Sequence, residues 1–381
     1  MLLKNFDENK ITCTIFLDLA KAFDTVDHSI LITKLEKYGI RGQALLLLKS
    51  YLTNRQHLVK INDTESKLLT LTIGVPQGSV LGPLLFLLFI NDLPMATHFK
   101  VKLFADDTFL SLDSNNQNEL NKKVNEEIKK VSRWLADNKL TLNVTKTKYM
   151  IFSNRKSPNT DFQIKIDNHC LERCTSYKYL GVLLDDKLNW KAHVDYICGK
   201  ITKVCGIFAK LRHSSSFDLL KIVYHALVAS HLQYCNLVWG SASENILSPL
   251  KKMQDRIIRI ISFVPFGCQN VDLLYDDLEL LSLDKIHKMA KAKFVYKHEN
   301  NKLPHNFDDF LTDVRSVHNY NLRSTSTSNY IQIWGRTNYG FKMLRYDAVR
   351  VWKSIPIKIR NFATIKSFSE KYKCYLLYGV F

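Results

Sequence analysis

Three carboxylates stand where the sequence predicts strand ends. Asp18 follows ITCTIFL at 11–17, a β-branched and apolar run with the composition of a buried strand. Asp106 and Asp107 fall inside VKLFADDTFLSL at 101–112, which reads as strand, tight turn and strand. If the two strands are neighbours in one sheet, all three carboxylates converge on one edge. Carboxylates held together repel unless a cation neutralises them. Hard oxygen ligands select Mg²⁺ or Mn²⁺, and two such ions about 3.5–4 Å apart are a common device for in-line phosphoryl transfer. Each piece also has an ordinary reading: an Asp-Asp pair often makes a solvated turn, and a single Asp often ends a strand.

The elements that would position these groups follow from periodicity. Residues 28–38 and 43–54 read as helices, the first stopped by Gly39. Residues 56–73 alternate loosely around a polar NDTES turn and suggest a hairpin. GVPQGS at 74–79 is a loop by composition, leading into an apolar helix at 80–90. An amphipathic helix is expected at 118–138, and strands at 147–153 and 177–184. Beyond that the pattern turns helical. Trp190, Val194, Ile197, Ile201, Val204, Phe208 and Leu211 recur at spacings of 4 and 3, one face of a helix. Residues 217–238 and 247–264 read as further helices, the last carrying Lys251, Lys252, Arg256 and Arg259. After Pro304 the pattern gives way to Asn, Ser, Thr and aromatic residues.

Charge narrows the partner. The 381 residues carry 54 Lys and Arg against 36 Asp and Glu, a net +18 that favours a polyanion, nucleic acid or an anionic membrane surface. The excess is uneven. Residues 187–262 hold 11 bases against 4 acids and residues 301–381 hold 13 against 5, whereas the first 186 residues net only +4. The basic residues form no single polybasic run beside an apolar anchor, which disfavours the membrane. The charged N-terminus lacks the apolar core of a secretory signal. The longest strongly apolar stretch, 80–90, falls short of the ~20 residues a membrane span needs. Eight cysteines without a CxxC pair argue against structural zinc and for free thiols in a reducing compartment.

Three segments in order, FLDLAKAFDTVDH at 16–28, GVPQGSVLGPLLF at 74–86 and FADD at 104–107, closely resemble the palm of reverse transcriptases from LINE-type (non-LTR) retrotransposons. NVTKT at 143–147, YLGV at 179–182, YNLR at 320–323 and VWKSIP at 351–356 extend the resemblance over essentially the whole chain, toward a jockey-like or related clade. It implies an α+β fold: a polymerase palm with a small antiparallel sheet packed on helices (1–186), a helical thumb-like domain (187–300) and a small basic C-terminal region (301–381). It implies an RNA-directed DNA polymerase using Mg²⁺ or Mn²⁺, an RNA template, a DNA primer and deoxynucleoside triphosphates. No membrane and no obligate protein partner is implied, and the place of action is intracellular, nuclear or cytoplasmic.

Residue by residue, the resemblance makes Asp18 and Asp106 metal ligands, with the Leu19 carbonyl assisting and Asp107 a ligand or support. Phe23 matches the bulky residue that excludes a ribose 2′-hydroxyl; as a plain residue it is a core aromatic. Gln77 and Gly78 would line the nucleotide pocket, in a segment that would also make an ordinary turn. Lys146 would serve the leaving pyrophosphate as proton donor or charge stabiliser. Tyr179 to Val182 would form a turn in which Tyr179, Leu180 and Gly181 grip the primer, and Lys251, Lys252, Arg256 and Arg259 would hold the duplex backbone.

Asp18 lies too near the start for the preceding fingers region of the family, whose cations hold the triphosphate. Neither an endonuclease domain nor a Cys/His knuckle is expected. The expectation is a truncated polymerase with a complete metal centre and impaired activity, since positioning dominates phosphoryl transfer. The alternatives are a catalytically inactive nucleic-acid-binding relic and an interaction protein whose charge is incidental.

Overall fold

The computed structural model describes residues 1–154, 162–166, 169–265, 267, 270–314 and 330–379. The YNLR motif at 320–323 lies outside the described residues. Helices and largely antiparallel sheet are mixed throughout, and the chain divides into two compact units. One is Asn9–Thr175; the other joins Leu3–Glu8 to Ser176–Phe381. Helix α1 (Leu2–Asp7) precedes the first unit in sequence.

The first unit is built around β1 (Ile11–Leu17), whose seven residues are all buried, as a run without polar alternation requires. Helices α2 (His28–Lys37) and α3 (Gly42–Leu52) follow. The expected hairpin at 56–73 is two nested ladders: β2 (Arg55–His57) pairs with β5 (Leu69–Leu71), and β3 (Lys60–Ile61) with β4 (Thr64–Glu65). Leu46, Leu47, Leu58, Val59, Ile61, Leu68 and Leu69, on α3 and this double hairpin, are exposed. Helix α4 (Leu81–Ile90), apolar throughout, buries Leu85, Phe86, Phe89 and Ile90.

Strands β6 (Lys100–Phe104) and β7 (Asp107–Ser114) form the expected hairpin, and α5 (Gln117–Asp137) follows, capped by Asn116. Leu120, Val124, Ile128, Val131 and Leu135, spaced by 4 and 3, press α5 onto the core. Strand β8 (Lys148–Phe152) returns beside β1, with short β9 (Lys165–Ile166), β10 (His169–Cys170) and β11 (Glu172–Arg173) after it. The main sheet has the order β11-β8-β1-β7-β6 and is antiparallel except for the β11–β8 edge pair. Buried Glu127 of α5 accepts from Thr97 Oγ1 (2.9 Å) and the His98 N–H (2.7 Å). It thereby anchors the segment that enters β6.

In the second unit, residues 177–184 are a hairpin rather than one strand. Strands β12 (Ser176–Tyr179) and β13 (Val182–Asp185) turn through Leu180 (φ 45°) and Gly181 (φ 79°). Two successive positive φ values are what a two-residue hairpin turn of this hand demands. Asp185 then accepts from the N–H groups of Lys187, Asn189 and Trp190, fixing the entry to α6 (Lys191–Leu211).

The helix expected over 217–238 is broken into α7 (Phe217–Tyr224), a π-helical turn at His225–Ala229, α8 (Ser230–Gln233) and α9 (Asn236–Trp239). The break falls at Cys235, whose φ of 48° no α-helix accommodates. Helix α10 (Glu244–Ile261) packs on α6, and α11 (Val271–Asp277) and α12 (Leu283–Glu299) follow. The tail adds α13 (Asn338–Phe341), α14 (Leu344–Lys353), α15 (Ile357–Arg360) and α16 (Ile365–Tyr378). There Tyr296 of α12 stacks on Phe368 of α16 with ring centres 4.6 Å apart, beside buried Trp352. Among the described residues no helix is long and apolar enough to cross a membrane.

Candidate active site

The sheet register decides where the acids meet. The antiparallel pairing of β1 with β7 ends at Leu17 opposite Thr108. One step on, Asp18 stands opposite Asp107, and Asp106 lies in the two-residue turn that joins Phe104 to Asp107. That turn places Ala105 at φ 52°, a left-handed conformation that costs a residue with a Cβ about 1 kcal/mol. Burial, and then the negative charges of Asp106 and Asp18, hold the Asp107 carboxyl above its ordinary value. Among the described residues no lysine or arginine forms an ion pair with any of the three. Nor, among those residues, is any group of three or more His, Cys, Asp and Glu side chains closed around a metal position.

The other side of Asp18 is held by the segment that leads into β8. The Asp18 N–H donates to Thr147 Oγ1 (3.2 Å), and its carbonyl accepts from the Asn143 N–H (2.8 Å). Leu19 bridges Leu142, and the bonds closing that bridge belong to its neighbours, Asp18 carbonyl to Asn143 and the Ala20 N–H to Thr141. In such an antiparallel pair the central residue's own N–H and C=O face the other way. The Leu19 carbonyl therefore faces away from the 141–143 segment. Lys146 is exposed in the Asn143–Thr147 turn, its N–H bonded to Asn143.

Two loops are clasped beside this edge. The Gly74 N–H donates to the Val26 carbonyl (2.7 Å) and the Val75 N–H to Phe23 (2.8 Å). His28 Nε2 donates to the Gly74 carbonyl (2.7 Å). Gly74 has φ 86°, and a Cβ there would lie 2.8 Å from the Asp24 carbonyl oxygen, so only glycine closes the clasp. Gln77 is tied down, its amide donating to Asp24 Oδ1 (2.8 Å), while Gly78, at φ 81°, has open space around its Cα. Phe23 is partly buried, its ring centre 4.6 Å from that of Phe86 on α4. The loop reaches α4 tightly: a Cβ on Gly82 would lie 2.4 Å from the Pro76 carbonyl oxygen.

Sequence reasoning passed over the residues that hold these groups in place: Asp24, Asp27, His28, Gly74 and Lys139. Asp27 caps α2 through the N–H groups of Ser29 and Ile30, and Lys139 donates to its second oxygen (2.7 Å). The Lys139 bond first, then the Ser29 hydroxyl, hold the Asp27 carboxyl well below the usual carboxylate range. The Asp before a helical pattern was the available signal; Lys139, far along the chain, gave none.

The remaining named residues belong to the second unit. Tyr234 Oη donates to the Leu180 carbonyl (2.7 Å), and its ring closes against Gly181, where a Cβ would meet it at 3.1 Å. Tyr179 ends β12, paired with Val182. The four cations of α10 divide. Lys251 is bound by Glu244 (2.6 Å) and Asp284 (2.7 Å). Lys252, Arg256 and Arg259 line a separate pocket on the same helix.

Residues 3–184 match the family described as reverse transcriptase (RNA-dependent DNA polymerase). The chain is 29% identical over 301 residues to a probable RNA-directed DNA polymerase from transposon BS of Drosophila melanogaster, covering 74% of this chain and 32% of that protein. It is 29% identical over 296 residues to a probable RNA-directed DNA polymerase from transposon X-element of the same fly, covering 75% and 32%. To the RNA-directed DNA polymerase from mobile element jockey, also from that fly, it is 28% identical over 289 residues, covering 72% and 31%. The chain thus spans about a third of the length of these relatives. A solved telomerase from Candida albicans, in complex with a fragment of telomeric RNA, overlays 78% of this chain and 48% of its own at 12% identity with a TM-score of 0.36, too loose to argue from. Residues 3–184 thus match the reverse transcriptase family, in a chain similar to the polymerases of non-LTR retrotransposons.

Proposed function

We propose that this chain carries the catalytic part of an RNA-directed DNA polymerase, which adds deoxynucleotides to a DNA primer 3′-hydroxyl on an RNA template. The observation that supports it most is the sheet edge where Asp18, Asp106 and Asp107 share one electrostatic environment, among the described residues without a basic ion-pair partner. An all-oxygen donor set fits Mg²⁺ or Mn²⁺ better than a softer metal. When bound, such ions would supply charge neutralisation at the attacking hydroxyl and the leaving pyrophosphate.

In this reading Asp18 and Asp106 are the ligands on facing backbone segments, the Leu19 carbonyl assists, and Asp107 supports. Asp24 orients Gln77 toward an incoming nucleotide, and Gly78 lets backbone approach it. Phe23, braced on Phe86, bounds the sugar and excludes a 2′-hydroxyl. Lys146 offers a proton or a positive charge to the leaving group. Residues 1–186 act as palm, 187–300 as a thumb-like domain and 301–381 as a basic C-terminal region. Tyr179, Leu180 and Gly181, pinned by Tyr234, grip the primer, while Lys252, Arg256 and Arg259 hold nucleic acid. Lys251 serves the fold instead, through Glu244 and Asp284. The reading includes no membrane and no obligate protein partner, and it places the protein inside the cell, in nucleus or cytoplasm.

Primer extension on an RNA template, with and without Mg²⁺, tests the proposal. Metal-dependent extension lost in Asp18→Asn and Asp106→Asn, with template binding retained, supports it. A second reading is a nucleic-acid-binding chain without turnover. It requires that both variants leave every measurable property unchanged.

A further inference from the structure

The second unit holds a pocket of about 450 Å³ that the polymerase chemistry does not use. Lys252, Met253, Arg256, Arg259 and Ile260 line it from one face of α10, with Arg212 from the end of α6 and Val264 beyond α10. This face is separate from the core face, which buries Leu247, Leu250, Ile257 and Ile261. Four cations therefore surround an apolar floor. Among the described residues no acid forms an ion pair with Lys252, Arg212 or Arg256. Their neighbour Lys251 has two acids, so the shortage is local to the pocket.

An aromatic backs one wall. The Arg212 guanidinium lies 4.9 Å from the centre of the Phe263 ring, which also meets His213 and Phe217 edge-on. Phe263 is half-exposed and adopts φ 58°. It stands just past the last turn of α10, where the Val264 N–H donates back to the Arg259 carbonyl (3.1 Å). Glycine is the usual residue at such a helix end, and a bulky aromatic there is strained. Strain of this kind concentrates at ligand clamps.

A bare anion site has no use for an apolar floor, and an apolar ligand has no use for four cations. A ligand with phosphate and a flat apolar face uses both. We propose that the pocket seats an unpaired nucleotide of a single strand of nucleic acid. Lys252, Arg256 and Arg259 hold its flanking phosphates, and its base lies against Met253, Ile260 and the Arg212 guanidinium backed by Phe263. A paired base is unavailable for such contact, so the pocket discriminates single strand from duplex. The inference rests on the chain's being a nucleic-acid binder and is independent of its polymerase chemistry.

Fluorescence anisotropy with the full chain carrying Asp18→Asn tests it, using oligouridylate, oligothymidylate and a blunt RNA–DNA duplex at fixed salt. Arg212→Lys keeps the charge and loses the flat guanidinium. Phe263→Gly removes the backing ring while relieving the backbone. Each is expected to weaken single-strand binding about tenfold, leave duplex binding and the salt slope unchanged, and leave Tm undiminished for Phe263→Gly. Loss on both oligomers assigns the shared base–phosphate chemistry; loss on one alone names the strand. Unchanged single-strand binding, or equal loss on duplex, overturns the proposal. Inorganic phosphate competing as well as uridine monophosphate also overturns it. Extension by the unmodified chain is scored separately, so either proposal can fail without the other.

Discussion

The carboxylate edge and the cationic pocket are opposites built on one rule. One gathers acids and the other bases, and among the described residues Asp18, Asp106 and Asp107 at the edge and Lys252, Arg212 and Arg256 at the pocket form no ion pair. Several charges elsewhere are paired inside the protein. Asp27 has Lys139, Lys34 has Asp92, Asp347 has Lys291, and Lys251 has two acids. Where a charge serves the fold, its partner is internal. In the proposed reading the counter-charge at these two places comes from outside, from a cation at the edge and a polyanion at the pocket. The construction differs as well. The acids are short side chains fixed by sheet register and a two-residue turn, which suits an ion that demands position. The cations are long side chains on a helix face, which suits a backbone that varies.

The largest expected effect would break this contrast at the acid side. Asp106→Asn should lower primer extension at least about a thousandfold and leave template affinity unaltered; retained extension would remove the edge from the mechanism. Next comes a paired charge as control. Asp27→Ala removes a helix cap and the Lys139 contact together, and should cost about 1–2 kcal/mol in urea unfolding. The Asp27 carboxyl is depressed in the fold. Its contribution is therefore complete above the ordinary carboxylate range and fades as pH falls below it, and the variant should lose that part of the acid sensitivity.

The pocket side follows. Arg256→Gln should weaken RNA binding several-fold and reduce the salt slope by about one, whereas Lys251→Gln should leave the slope alone. An equal slope change in both would erase the distinction between paired and unpaired lysine or arginine. The smallest effect concerns Asp107, whose carboxyl is raised. There the folded state binds the proton more tightly, so stability falls as pH rises through and above the ordinary carboxylate range. Asp107→Asn should gain a few tenths of a kcal/mol at neutral pH, about 1 °C in Tm. Mg²⁺ should raise the Tm of the unmodified chain more than that of the variant.

Much of the edge was legible because short-range rules govern it. An apolar β-branched run must be a covered strand, and a hairpin with Asp-Asp at its turn can present acids only at its end. The choices made by distant partners were not legible. Lys251 and Lys252 are adjacent on one helix, and only the arrival of Asp284 from α12 and Glu244 from a preceding turn separates their roles. By composition the YKYLGVLL segment reads as one strand, and only the family resemblance puts a turn at 179–182; the Tyr234 hydroxyl that binds the Leu180 carbonyl comes from far along the chain. The helix break at Cys235 is equally silent, since apolar periodicity runs on through it. The nested ladders at 55–71 escaped because four strands of two or three residues leave too little alternation to read.

The leucines, valine and isoleucine bared on α3 and the double hairpin have a practical consequence for handling the protein. At low ionic strength the net +18 keeps molecules apart despite the sticky surface. Salt added to strip adhering RNA shortens the Debye length to about 3 Å at 1 M and removes that protection. The chain should therefore be most prone to clumping at the salt that makes it cleanest. Light scattering across a salt series would show this, and Leu47→Lys with Ile61→Lys should flatten the rise.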